Sequence, residues 1–172
     1  ATRVSASAEP FRVFLIAEST NAVSARAGFR VLPDYGFNDH PHIDVLMIAG
    51  GVHTHEMNKP QVISWIAHQA DTASVVASVC TGAFLLAKAQ VIQSQKVTTH
   101  WEDIADLKSM FPALQVIEGV RWVDQGRVLS SGGISAGIDM SLHLVSRLYG
   151  RELAEKTARQ MEFAWSENQP AG

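Results

Sequence analysis

One segment in the middle of the chain joins a buried strand to a buried helix with almost no connecting residues. Residues 74–79 form a nearly continuous apolar run of strand length, and residues 83–89 are apolar almost all round, as in a buried helix. A second apolar run, residues 43–49, ends at Gly50 and Gly51. Continuous runs of this kind are typical of strands buried on both faces of a parallel sheet. The two runs therefore favour an α/β fold.

Strands and helices alternate along the rest of the chain. We predict helices at residues 60–70, 101–110, 136–149 and 152–164, and shorter strands at 11–16, 29–32, 116–117, 120–123 and 127–129. A turn sequence at residues 124–126 predicts a hairpin between the last two strands. The alternation predicts an α/β sandwich with a largely parallel sheet, and the lack of any linker or repeat predicts a single domain over residues 1–172.

Composition excludes several function classes. The 172 residues are 47% hydrophobic and carry 14 basic and 17 acidic side chains, so the net charge of −3 gives no support for binding nucleic acid or an anionic membrane. No apolar run reaches the roughly 20 residues of a spanning helix. The single cysteine, Cys80, cannot form an intramolecular disulfide, which suits a cytoplasmic protein.

Cys80 lies at the bend between the buried strand and the buried helix. So abrupt a turn needs a strained residue with small neighbours, which Gly82 and Ala83 supply. The side chain at the bend should project from the carboxyl edge of the sheet, where ligands bind in open α/β folds. The helix N-terminus favours a thiolate, and the N–H groups of Thr81 and Gly51 could bind a developing oxyanion. We therefore predict Cys80, Thr81 and Gly51 as a catalytic set; the alternative is that Cys80 is a small core residue.

Four other residues are candidates for the pocket. Gly50 and His53 lie at the end of a buried strand and on the loop after it, and His100 could relay a proton. Asp139, early in a helix, could orient a polar group near Cys80. The alternatives are that His100 is hydrogen-bonded near a helix N-terminus and that Asp139 complements a helix dipole.

A metal site is not predicted. His53, His55 and Glu56 have a spacing that can bind metal, but no further residue completes three or four ligands in a suitable geometry. The glycines at residues 132–133 match no phosphate-binding or dinucleotide-binding fingerprint. We therefore predict neither a metal nor a cofactor.

Four segments together resemble the ThiJ/PfpI family of the class I glutamine amidotransferase-like superfamily. They occur in family order at residues 48–51, 78–82, 98–101 and 131–139. The resemblance implies a flavodoxin-like three-layer sandwich with a nucleophile elbow at Cys80. Among the family's branches, the motifs are closest to isocyanide (isonitrile) hydratases and to the sensor domains of AraC-type regulators. Thr81 stands where the peptidase-like members have histidine, which counts against protease activity.

The resemblance also implies features that the residues alone do not give. Family members commonly form dimers, so we expect a homodimer. Their first strand and helix supply an Asp or Glu beside the nucleophile. By the resemblance, this acid either lies upstream of Ala1 or is lacking from the protein. The favoured function is thus a cysteine-dependent small-molecule enzyme, a hydratase (lyase) or an amide hydrolase. A non-catalytic ligand-sensing domain and a stress-linked protein that handles aldehydes or redox signals remain open as alternatives.

Overall fold

Residues 9–167 are described by a computed structural model, and they form eight short strands and six α-helices. The strands are β1 (Val23–Ser24), β2 (Arg30–Val31), β3 (Val45–Ile48), β4 (Val75–Val79), β5 (Lys96–Val97), β6 (Gln115–Val116), β7 (Trp122–Asp124) and β8 (Val128–Ser131). The helices are α1 (His53–Met57), α2 (Pro60–Thr72), α3 (Gly82–Lys88), α4 (Ile104–Met110), α5 (Ser135–Tyr149) and α6 (Arg151–Gln160). The predicted domain range of 1–172 extends past the described residues at both ends.

Four strands form the central sheet, in the order β3-β4-β8-β7. The first three strands are parallel, with Leu46 opposite Val76 and Val76 opposite Val128. β7 runs antiparallel to β8, which confirms the predicted hairpin. Two small ladders, antiparallel β1-β2 and parallel β5-β6, lie outside this sheet. All the parallel strands end at one edge, where their connecting loops meet.

Apolar side chains cover both faces of the sheet. On one face, Val76 packs with Ile66 of α2 and with Phe84 of α3 in the larger core cluster. On the other face, Ala77 packs with Met140 of α5 in a smaller cluster. Successive residues of β4 thus point to opposite helical layers, as the two-residue period of a strand requires. The predicted three-layer α/β sandwich with a mostly parallel sheet is confirmed.

An ion cluster links the hairpin to α5. Asp124 accepts hydrogen bonds from His143 Nε2 at 2.7 Å, from Arg147 at 3.0 Å and from the N–H of Gly126 at 2.7 Å. Partial burial by itself raises the pKa of Asp124, but the hydrogen bonds from His143 and Gly126 and the charge of Arg147 outweigh it. The pKa of Asp124 is therefore lowered, and the carboxylate form is the one that the folded hairpin favours.

The structure departs from the predictions in three elements. Residues 11–16 are not a strand: their backbone pairing is confined to their end, where Ile16 bridges Tyr35 and the Leu15 carbonyl accepts the N–H groups of Asp34 and Tyr35. The predicted loop after Gly51 is largely helix α1, held down by its buried residue Met57. The last helix ends at Gln160 rather than 164, and Glu162 takes a left-handed conformation with φ of 51°.

Two smaller differences concern helix ends and spans. The helix predicted at 101–110 begins as a 3-10 turn, Trp101–Asp103, before α4 starts at Ile104. Within the described residues, none of the helices has both the length and the apolar character needed to cross a bilayer.

Candidate functional site

Cys80 occupies a left-handed backbone conformation between β4 and α3. Its φ is 55°, in the region that residues with a Cβ seldom adopt. The Cys80 N–H donates to the carbonyl of Ser131 at 3.0 Å, which extends the β4-β8 pairing into the bend. The residue is half-buried, so it is not sealed inside the core. The strain predicted at this turn is therefore present, and it lies at a position that solvent reaches.

Glycines allow β3 to approach the bend closely. A Cβ at Gly82 would lie 2.3 Å from the carbonyl oxygen of Ile48, and a Cβ at Gly50 would lie 2.7 Å from Cys80 Cβ. Neither gap accommodates a methyl group, because carbon atoms in contact are normally about 3.5–4.0 Å apart. Gly50 is therefore part of the site as a packing residue, and Gly82 makes room for the turn as predicted.

Thr81 and Gly51 are bonded to each other at two points. The Gly51 N–H donates to Thr81 Oγ1 at 2.9 Å, and Thr81 Oγ1 donates to the Gly51 carbonyl at 2.9 Å. Thr81 is almost fully buried, with 1% of its surface exposed. In this arrangement the Gly51 N–H is engaged by a side chain instead of facing a ligand. Its predicted role as a second oxyanion donor requires that this hydrogen bond open or be shared.

A second threonine, which the sequence reasoning did not single out, contacts the carbonyl side of the bend. The hydroxyl of Thr99 donates to the Cys80 carbonyl oxygen at 2.8 Å, and Thr99 is 2% exposed. Its neighbour Thr98 donates its N–H to Ser130 Oγ at 2.8 Å. The segment that precedes His100 is thus fixed to both β8 and the bend. The only signal in the sequence was its place within the segment of residues 98–101.

The two candidate histidines have different surroundings. The ring of His53 lies on helix α1 and stacks on Phe84 of α3, with the ring centres 4.2 Å apart. The ring of His100 caps the 3-10 turn and accepts a long hydrogen bond, 3.4 Å, from the N–H of Glu102. The alternative reading of His100, a histidine hydrogen-bonded near a helix N-terminus, therefore describes its observed contacts.

Asp139 is tied to the C-terminal segment. Its buried carboxylate pairs with Arg121 and accepts the N–H of Ser166 at 2.9 Å. The indole N–H of Trp165 donates to the Asp139 carbonyl at 3.3 Å. These contacts anchor residues 165–166 on α5, and they differ from the predicted role of orienting a group near Cys80.

Within residues 9–167, two open surface depressions lie around α6 and around the Arg121–Trp165 contact region, and Cys80 lines neither of them. No group of three His, Cys, Asp or Glu side chains in this part of the chain could hold a metal ion. The chemistry available at the bend is therefore that of a thiol, backbone N–H groups and two threonine hydroxyls.

Comparison with known proteins identifies the family. The model of the DJ-1/PfpI family matches residues 3–147, which include the bend and every candidate residue above. The chain belongs to the DJ-1/PfpI family. The resemblance seen in the sequence is thereby confirmed. The curated relatives of this chain include both an enzyme and transcriptional regulators.

Curated relatives of this DJ-1/PfpI chain fall into those two groups. An isonitrile hydratase from Pseudomonas putida is 35% identical over 162 residues, covering 94% of this chain and 70% of the relative. The HTH-type transcriptional regulator GbdR from Pseudomonas aeruginosa is 31% identical over 146 residues, covering 85% of this chain. The chain spans 40% of that regulator's length.

Solved structures agree on the fold. A ThiJ/PfpI family protein from Pseudomonas syringae superposes with a TM-score of 0.82 at 26% identity, covering 94% of this chain and 66% of that one. An AraC family transcriptional regulator from Pseudomonas putida superposes with a TM-score of 0.72 at 20% identity, covering 88% of this chain and 81% of that one. The DJ-1/PfpI fold of this chain is thus shared by proteins with different functions.

Proposed function

We propose that this protein is a cysteine-dependent enzyme that acts on small electrophilic molecules, with an isonitrile or a related carbon–nitrogen compound as substrate. The observation that carries the proposal is the strained, half-buried Cys80 at the carboxyl edge of the sheet. Backbone strain of this kind collects at functional sites, where the surrounding structure holds it in place. The hydratase relative, which matches 94% of this chain, supports the choice of substrate class.

The proposed reaction begins with attack of the Cys80 thiolate on the isonitrile carbon. A C–S bond forms and the carbon takes up a proton, which gives a thioimidate bound to the protein. Water then adds to the same carbon while the imine nitrogen takes up a proton. The added oxygen loses its remaining proton, the C–S bond breaks, and the sulfur leaves as thiolate with the electron pair. The net change is addition of water to the isonitrile to give an N-substituted formamide. On an amide substrate, the same attack would give a thioester and release an amine.

Thr81 and a carboxylic acid complete the proposed mechanism. The Thr81 N–H is assigned to the oxygen of the tetrahedral intermediate, where it stabilises the negative charge that develops as the added water loses its protons. The Gly51 N–H contributes only if its hydrogen bond to Thr81 Oγ1 is shared. Proton transfer is assigned to an Asp or Glu beside the nucleophile, as the family resemblance implies.

The test is turnover of a panel of alkyl and aryl isonitriles by wild type and by Cys80→Ala, with the formamide measured by mass spectrometry. We expect wild type to form the formamide and the variant to form none, with circular dichroism showing the same fold for both. Trapping of a covalent adduct on Cys80 would identify the intermediate. A Cys80→Ala variant that keeps the wild-type rate would refute the proposed mechanism.

A ligand-sensing domain is the second candidate, and one contact favours it. Because the Gly51 N–H is occupied by Thr81, the site offers one fewer free donor for an oxyanion than the sequence suggested. A sensor needs to bind its ligand without turning it over, and regulators are among the relatives. Ligand-dependent thermal stabilisation of wild type without any product would favour this candidate over the enzyme.

A further inference from the structure

The hydroxyl of Thr99 has no role in the chemistry proposed above, although it touches the reactive bend directly. It donates to the Cys80 carbonyl oxygen at 2.8 Å from a side chain that is 2% exposed. Helix α3 offers that carbonyl only a long second bond, 3.4 Å, from the Ala83 N–H. The Thr99 hydroxyl is thus the closer of the two donors that fix this oxygen.

The geometry of the peptide group connects this contact to the thiol. The Cys80 carbonyl and the Thr81 N–H belong to one planar peptide unit, and the described chain contains no cis peptide bond. In a trans peptide the C=O and N–H point in opposite directions. Holding the oxygen on the Thr99 side therefore directs the N–H to the opposite side.

The Cβ of Cys80 and the nitrogen of Thr81 both lie beside Gly50. The position that a Cβ would take at Gly50 lies 2.7 Å from Cys80 Cβ and 3.1 Å from the Thr81 nitrogen, so both atoms border the same small volume. Within residues 9–167 the Thr81 N–H has no hydrogen-bond acceptor. The donor is thus free, and it is close to the carbon that carries the thiol.

We propose that Thr99 is a positioning residue: its hydroxyl fixes the Cys80–Thr81 peptide plane so that the Thr81 N–H points at the oxyanion formed on an acyl group bound to Cys80. The hydrogen bond to the carbonyl also polarises the peptide unit, which strengthens its N–H as a donor. This inference rests on the proposed function, because it assumes that Cys80 is the nucleophile and Thr81 the donor.

The alternative is that the Thr99 hydroxyl only satisfies a buried carbonyl. In that case its removal would loosen the bend and would affect every reaction of Cys80 alike. A positioning role affects only those reactions in which a negative oxygen develops. Two reagents that differ in this respect separate the two explanations.

The experiment compares acylation of Cys80 by p-nitrophenyl acetate with its alkylation by iodoacetamide. In acylation the thiolate attacks the ester carbonyl, a C–S bond forms, and the resulting oxyanion collapses as nitrophenolate leaves with the C–O electron pair. In alkylation a C–S bond forms while iodide leaves with its electron pair, and no oxyanion appears. Because the chain has one cysteine, the rates measured with Cys80→Ala give the background to subtract.

Thr99→Val removes the hydroxyl at nearly constant volume, and Thr99→Ser keeps it. We expect Thr99→Val to slow acylation about 10- to 100-fold, less than the full loss of a donor, while alkylation changes by no more than about threefold. Thr99→Ser should restore acylation. Thr157→Val is the matched control, because the hydroxyl of that buried residue also donates to a backbone carbonyl, Leu153, at 2.7 Å, but within α6. It should change neither rate.

One result would overturn the inference: a ratio of acylation to alkylation in Thr99→Val that equals the wild-type ratio, whether both rates stay the same or fall equally. If Thr99→Val does not fold, Thr99→Ala removes the same hydroxyl without placing a second methyl group near the carbonyl, and the same ratio decides. Isonitrile turnover is measured separately. A wild type that hydrates no isonitrile refutes the proposed substrate, whereas the ratio still decides the role of Thr99.

Discussion

Replacing Cys80 by glycine and by alanine tests the strain at the bend directly. With φ at 55°, any residue that has a Cβ is in a left-handed conformation, which costs roughly 1–2 kcal/mol, whereas glycine adopts it freely. Glycine has the opposite disadvantage that its unfolded chain is more flexible, which costs about 0.5–1 kcal/mol relative to alanine. Both variants lack the sulfur, so its loss cancels in the comparison.

The difference between these terms makes Cys80→Gly more stable than Cys80→Ala by up to about 1.5 kcal/mol. At an ordinary helical position the order is reversed. Ala67, half-buried in α2, provides that control: Ala67→Gly should be about 1 kcal/mol less stable than wild type. The free-energy difference between the glycine and alanine forms at position 80 should therefore favour glycine by about 1–2 kcal/mol more than the same difference at position 67.

Urea unfolding followed by circular dichroism and tryptophan fluorescence measures each free energy. In a chain of this size, 1 kcal/mol corresponds to about 2–4 °C in melting temperature, so thermal scans provide a second reading. If Cys80→Gly is less stable than Cys80→Ala by as much as Ala67→Gly is less stable than wild type, then Cys80 is not held in a strained conformation. Cys80 would then lack the backbone strain that indicates a functional bend.

Two further predictions concern packing and charge. Gly82→Ala should destabilise the protein by about 3 kcal/mol in urea unfolding, because the added Cβ would lie 2.3 Å from the backbone oxygen of Ile48. Gly132→Ala is the control. The nearest neighbour of its Cβ would be 3.5 Å away, so stability should change by less than about 1 kcal/mol. Asp124→Asn should cost about 1–2 kcal/mol at pH 6 through the weakened contact with His143. Since the pKa of Asp124 is lowered by folding, its contribution is present above the unfolded pKa of about 3.9 and is lost as the pH falls through the folded pKa. The stability gap between wild type and Asp124→Asn should therefore narrow as the pH falls below about 4, and a constant gap would contradict the ion cluster.

Local sequence was enough to predict the bend at Cys80. A buried strand and a buried helix leave no residues for a loop between them, so the residue at the junction must turn sharply, and the φ of 55° confirms this. The same reasoning failed at residues 11–16. Their β-branched and aromatic composition favours a strand, but a strand also needs a neighbour to pair with, and backbone pairing reaches only Leu15 and Ile16. Composition carries no information about that partner.

The contacts that shape the site were not predictable in the same way. Thr81 and Gly51 are hydrogen-bonded although they lie thirty residues apart in the sequence. Thr99, which donates to the Cys80 carbonyl, lies nineteen residues after Cys80. Such side-chain to backbone bonds depend on which loops meet at the edge of the sheet, and no periodicity in the sequence encodes them. The motif pattern predicted Gly51 and Thr81 at one edge of the sheet, where they are hydrogen-bonded to each other, while the partner of each N–H and hydroxyl emerged only from the fold.

The bond between Gly51 and Thr81 is the feature on which the choice between enzyme and sensor depends most. Removing one donor from an oxyanion site typically lowers the rate by about 10²- to 10³-fold. With the Gly51 N–H held by Thr81 Oγ1, catalysis would rely on the Thr81 N–H, unless substrate binding releases the second donor. An enzyme therefore gains from breaking this bond, whereas a sensor gains from keeping it, because a rigid loop lowers the entropy lost when ligand binds. Thr81→Val frees the Gly51 N–H from this hydrogen bond. Faster acylation of Cys80 in that variant would show that the bond restrains catalysis. Slower acylation would show that the loop must be held in place for the thiol to react.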